Sequence, residues 1–142
     1  MTRLIIGIGN LMRGDDAAGL RVVQAVGISE TVLEHDGEPA SLIALWEEHD
    51  EVVLVDAVSA DRPPGTVIEI DATHSALPAA MCHSTHALGP AEAVELARAL
   101  GKLPTKITLL GIEGRTYSFG TGLSPEVESA VGDVVRRLQH TE

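Results

Sequence analysis

The sequence predicts an α/β protein with helices on both faces of a mostly parallel sheet. Short apolar runs alternate with helical patterns, in the order βαβαβ(β)αβα, and that order implies an α/β/α layered domain. The 142 residues suit one domain spanning 1–142. Val, Leu, Ile and Ala must build the core, because the chain has one Trp, one Tyr and one Phe.

Leu4–Ile8 is a short buried strand ending in Gly7-Ile8-Gly9-Asn10. Ala17–Val26 has a helical period, with Ala18, Val22, Val23 and Val26 on one face and Gly27 as its stop. Thr31–His35 is a weaker strand. Pro39 suits the first turn of a helix whose apolar stripe is Leu42, Leu45 and Trp46. Val52–Val55 is the clearest buried strand, and Asp56 is expected to end it. A turn at Arg62-Pro63-Pro64-Gly65 leads to Thr66–Ile70, whose alternation suits a half-buried strand.

His74–His86 has no clean period and is expected to be a loop. A helix from Gly89-Pro90 to Leu100 stops at Gly101, and His86 falls either in that loop or in an added first turn. Lys106–Leu110 is another buried strand, and Glu113–Gly122 a glycine-rich loop. Ser124-Pro125 opens the most regular helix, with Val127, Ala130, Val131, Val134, Val135 and Leu138 on one stripe.

Composition excludes several classes. The net charge of −11, from 21 acidic and 10 basic residues, opposes a nucleic-acid surface, because phosphate binding needs a basic patch. No run approaches the ~20 apolar residues of a membrane helix, and the apolar run at the N-terminus is too short for a signal peptide. A soluble protein of a reducing compartment is therefore expected. Cys82 is the only cysteine, which excludes an internal disulfide and a thiolate metal cage.

In α/β sheets ligands bind beyond the carboxyl ends of the strands. That directs attention to Asn10–Asp16, Asp56 and the segment around His86. Gly7-x-Gly9 begins like a dinucleotide fingerprint, but Met12 stands where the third glycine belongs. The glycines then read as a tight turn and a close backbone approach. Asp15 and Asp16 precede a helix, where one of them would serve as its N-cap. Two adjacent carboxylates at a strand's end also repel unless a cation or proton intervenes. With Asp56 and with His83 or His86 they would make a mixed N/O site suited to Zn, Ni, Mn or Fe. His35, His49 and His140 are expected to be plain surface groups. There is no H-E-x-x-H, and no serine or cysteine stands in a nucleophile motif. A rival explains the acids without histidine: a receiver domain accepting phosphate at Asp56, with Asp15 and Asp16 as its acidic pair.

Taken together, GIGNLMRGDDAAGLRV, VVLVDAV, PPGTV, STHALG and GLSPEV resemble the hydrogenase maturation proteases. The resemblance runs in order from Leu4 to about Leu138. It implies a cytoplasmic endopeptidase that removes the C-terminal extension of a nickel–iron hydrogenase large subunit after nickel insertion. It also implies a phosphorylase/hydrolase-like α/β/α sandwich around a five-stranded mixed sheet, whose antiparallel fourth strand would be Thr66–Ile70. The family's metal-site and catalytic residues fall on Asp16, Asp56 and His86, with Asp15 as an alternative. A substrate-recognition loop falls on Asp36, Gly37 and Glu38, where many members have D-G-G-T-x-G. Nickel is expected to arrive with the substrate, so any Cd or Zn at the site would be a stand-in. The expected partner is the large-subunit precursor, the expected state a monomer. A plain metallopeptidase on the same fold is the remaining alternative.

Overall fold

The computed structural model describes residues 3–27, 31–77 and 90–139. Five strands form one mixed sheet, in the spatial order β2-β1-β3-β5-β4. They are β1 (Arg3–Ile8), β2 (Thr31–His35), β3 (Glu51–Val58), β4 (Val67–Asp71) and β5 (Lys106–Glu113). The pairs β1–β2, β1–β3 and β3–β5 are parallel, whereas β4 runs antiparallel to β5. The helices are α1 (Ala18–Val26), α2 (Pro39–Trp46), α3 (Pro90–Leu100) and α4 (Pro125–Gln139), and a 3-10 turn (Gly14–Ala17) precedes α1.

Strand alternation divides the core in two. Leu4, Ile6 and Ile8 of β1, and Val52, Leu54 and Val58 of β3, pack against α2 and α3 with Trp46 fully buried among them. Ile5, Val53, Val55 and Ile112 face α1 and α4 on the other side. The stripe on α4 that the sequence predicts is buried throughout, and so is the predicted face of α1. In α2 the stripe differs by one residue: Ile43, not Leu45, is buried beside Leu42 and Trp46.

Two glycines set how closely α1 lies on the sheet. A Cβ on Gly7 would collide with the carbonyl oxygen of Gly19, and one on Gly19 with the carbonyl oxygen of Val55. The glycines of the first motif thus serve close approach, which draws the turn before α1 over the ends of β1 and β3.

Two strands run past their expected ends. β5 continues to Glu113, and β3 continues past Asp56 to Val58. The cause is mutual: Asp56, Ala57 and Val58 lie in register with Gly111, Ile112 and Glu113, so each strand supplies the other's backbone partners. Asp56 is therefore enclosed in the sheet rather than placed at its rim.

Candidate active site

Asp16 comes from the 3-10 turn after β1, and Asp56 from the interior of β3. They are 2% and 1% exposed, deep burial for carboxylates. Neither oxygen of Asp56 has a well-aligned hydrogen-bond partner among the described residues. Burial holds the Asp56 carboxyl well above the usual range, the charge of Asp16 adds to this, and the Ala57 amide opposes it weakly. Two buried acids in mutual repulsion need a proton or a cation between them. Their chemistry therefore fits a cation-binding or proton-holding site.

Asp15 has a different environment. Its carboxylate accepts four hydrogen bonds from the segment Arg115–Ser124. The amides of Arg115 and Thr116 donate to Oδ2 at 2.7 and 3.1 Å. The Ser124 amide donates to Oδ1 at 2.7 Å and its hydroxyl to Oδ2 at 2.8 Å. In return the Asp15 amide donates to the Thr116 carbonyl at 2.8 Å. Neither acid is an N-cap, correcting that expectation: Arg13 and Ala17 hold the cap positions, without side-chain cap bonds. The acids fall inside the 3-10 turn, whose carboxylates point to other elements.

Tyr117 is a site neighbour with no signal in the sequence. Its hydroxyl donates to the Val58 carbonyl at 3.1 Å. Burial raises its pKa to about 12, and the charges of Glu113, Asp56 and Asp16 contribute to the rise. Glu113 is buried as well and accepts the Ala60 amide at 2.8 Å, bracing the loop after β3. A lone tyrosine in a glycine-rich loop carries no spacing pattern, so only the fold could reveal it.

The expected recognition loop is tightly built. The Glu38 carboxylate caps α2 by accepting the amides of Ala40 and Ser41, each at 2.9 Å, and Asp36 accepts the Glu38 amide at 3.0 Å. His35 is not the plain surface group expected. Its side chain is 11% exposed, its Nδ1 accepts the Gly37 amide at 2.8 Å, and its Nε2 lies 2.8 Å from Ser41 Oγ. Burial lowers its pKa, so the ring is held neutral with Nε2–H donating. A Cβ on Gly37 would lie 3.8 Å from Pro90, so this loop borders the start of α3.

His86, His83 and Cys82 lie outside the described residues, as does His140. Among the described residues no group of three His, Cys, Asp or Glu side chains is placed to hold a metal ion. The structure thus brings together Asp16 and Asp56 of the expected three, and assigns Asp15 to the neighbouring loop.

Solved structures define the class. The hydrogenase maturating endopeptidase HybD from Escherichia coli superposes with a TM-score of 0.79 at 26% identity, over 97% of this chain and 90% of that one. The NiFe hydrogenase maturation protease HybD from Thermococcus kodakarensis does so with a TM-score of 0.77 at 25% identity, over 98% and 97%. The fold is thus that of a maturation endopeptidase. By sequence, the hydrogenase 2 maturation protease of Escherichia coli is 31% identical over 147 residues, covering 97% of this chain and 88% of that protein. The hydrogenase maturation protease family model matches residues 24–140, and the chain belongs to that family. It is a peptidase of hydrogenase maturation. The receiver alternative falls with this: the sheet order here is 2-1-3-5-4 with an antiparallel edge, not the 2-1-3-4-5 of flavodoxin-like folds. No helix among the described residues is long and apolar enough to cross a membrane.

Proposed function

We propose that this enzyme removes the C-terminal extension of a nickel–iron hydrogenase large-subunit precursor once nickel has been inserted. It would act as a monomer in the cytoplasm. Asp16, Asp56 and His86 bind the nickel that the substrate's own thiolates already hold, so the metal is part of the substrate and the signal that it is ready. The observation that carries this reading is Asp56, a fully buried carboxyl that has only a weak contact with the Ala57 amide to offset its burial, set against the charge of Asp16. A carboxylate pair burdened in this way is relieved when a divalent cation enters, and imidazole with carboxylate suits nickel.

The chain's groups then have distinct tasks. Asp16 and Asp56 hold the metal-bearing end of the precursor against the sheet, and His86 completes the set. Hydrolysis adds water across the scissile amide: the water oxygen bonds to the carbonyl carbon, the C–N bond breaks, and a proton passes to the leaving nitrogen. A carboxylate drawn to a cation has a lowered pKa and is a weak base. The acid pair therefore serves chiefly to position the substrate.

The test is cleavage of a nickel-loaded precursor, read by the product's mass. Asp16→Ala, Asp56→Ala and His86→Ala should each stop the mass loss while the variants remain folded. Normal processing by the His86 variant would remove histidine from the site. Equal cleavage of nickel-free and nickel-loaded precursor would favour a plain metallopeptidase or a metal-independent one.

A further inference from the structure

The chain has a single phenylalanine, and it is 72% exposed. The other two aromatic side chains have inner partners, Trp46 in the core and Tyr117 on the Val58 carbonyl. Phe119 is nonetheless firmly held. The Arg13 guanidinium carbon lies 5.6 Å from its ring centroid, within cation–π range. The Gly120 amide donates to the Met12 carbonyl at 3.0 Å, and Thr121 Oγ1 donates to the Ser118 carbonyl at 2.8 Å. Asp15 fastens both ends of the loop, through Arg115 and Thr116 on one side and Ser124 on the other.

The ring also has company. Met12 is 64% exposed and Leu11 43%. Both stand in the turn that carries the chain from Gly9 to Asp16, so the apolar patch is continuous with the segment that delivers Asp16 to Asp56. An exposed, preorganised aromatic next to a reactive site is suited to anchoring a partner, because little entropy remains to be lost on binding. A second copy of this chain seated there would cover the approach to Asp16, whereas a protein substrate must come to that edge.

We propose that Phe119, with Met12 beside it, is a specificity-determining contact that receives an apolar side chain of the precursor, and that Asp15 is the positioning residue that holds the loop. This rests on the endopeptidase reading above and adds a contact to it. A turn and a loop far apart in sequence thus form one recognition surface, and adjacent acids divide the work: Asp16 pairs with Asp56, and Asp15 holds the loop that carries Phe119.

The experiment compares wild type, Phe119→Ala, Phe119→Tyr, Asp15→Asn and Asp16→Asn. It measures cleavage of a nickel-loaded large-subunit precursor and, separately, binding of that precursor to the immobilised enzyme. Phe119→Ala should raise KM about tenfold and weaken binding equally, with kcat within about twofold. Phe119→Tyr should restore both. Asp15→Asn should raise KM in the same direction. Because Phe119 is exposed, its removal leaves the fold in place, which a thermal melt checks. Unchanged KM and binding in Phe119→Ala would overturn the proposal. So would a concentration-dependent dimer lost in Phe119→Ala with KM unaltered, which would give the patch to a second copy. Normal cleavage by Asp16→Asn alongside a raised KM in Phe119→Ala would refute the acid-pair reading and leave this contact standing.

Discussion

Asp15 and Asp16 are neighbours of identical chemistry whose surroundings differ, and the difference decides what each can do. Four donors satisfy Asp15. Asp16 lies against Asp56, whose carboxyl is raised by burial first and by Asp16 second. A carboxyl with a raised folded pKa contributes stability that is fully present below its unfolded value, 3.8, and is lost as pH rises through the folded value. Asp56→Asn removes that loss. The variant should be more stable than wild type at pH 7 by ~1–2 kcal/mol while losing cleavage, the usual opposition of activity and stability at a functional site. Urea melts at pH 5 and pH 8 check it, and equal stability of the two proteins at both would contradict it. His35 behaves in the opposite sense. Its pKa is lowered from 6.5 by burial, so the order it lends the Asp36–Glu38 loop is present above pH 6.5 and lost as pH falls through the folded value. Hydrogen exchange at the Gly37 amide, which donates to His35 Nδ1, should quicken on acidification relative to a core amide such as Leu54.

At the level of elements, β3 and α1 show what the sequence could convey. Val52–Val55 is legible as a strand because nothing interrupts its apolar run, and α1 because its period is clean. The extension of β3 past Asp56 is not legible, because an acid after an apolar run ordinarily marks a strand's end. Only the paired register of β5 carries the ladder on to Val58. The alternation of β4 marks a half-buried strand, but its direction is set by its partner, and only the family resemblance supplied it. The site followed the same rule. Asp16 and Asp56 could be singled out as candidates from a motif and a strand, whereas the bonds of Tyr117 to the Val58 carbonyl and of Glu113 to the Ala60 amide come through tertiary packing alone. The contact of α1 with the sheet makes a further prediction. Gly19→Ala places a Cβ against the carbonyl oxygens of Val55 and Ile8, which are backbone atoms that cannot rotate away. It should cost ~3 kcal/mol or more. Gly101→Ala, with φ +70° and open space around it, should cost only about 1–2 kcal/mol. Thermal melts of the pair test whether close approach or backbone conformation is the stronger demand, and equal losses would refute the close-packing account.

Across the whole molecule, the two ends of the sheet differ in kind. At the carboxyl ends of β1 and β3 lie buried acids and the loops built around them. From the amino ends of β1, β3 and β5 toward the β4 edge, Arg3, Lys106 and Arg137 surround a small cavity with Glu51 and Glu69, over a floor that includes Val53 and Leu110. There Arg137 lies 3.3 Å from Glu69, both about half exposed, and Lys106 lies 3.9 Å from Glu51. Half-exposed pairs of this sort contribute ~0–1 kcal/mol each, because water screens them and long side chains lose entropy in pairing. The acidic residues therefore have two unlike parts, solvated acids that dominate the net charge of −11 and a few buried ones, Asp15, Asp16, Asp56 and Glu113. Substitution should separate the two. Glu69→Ala and Arg137→Ala, alone and together, should show a coupling of ~0–1 kcal/mol in urea melts that shrinks in 1 M salt. Precursor cleavage should keep its kcat and KM in all three variants, since the pair stands at the β4 edge of the sheet, two strands from Asp56, and is exposed to solvent. A loss of cleavage in Glu69→Ala comparable to that in Asp56→Ala would mean that the β4 edge also takes part in the reaction.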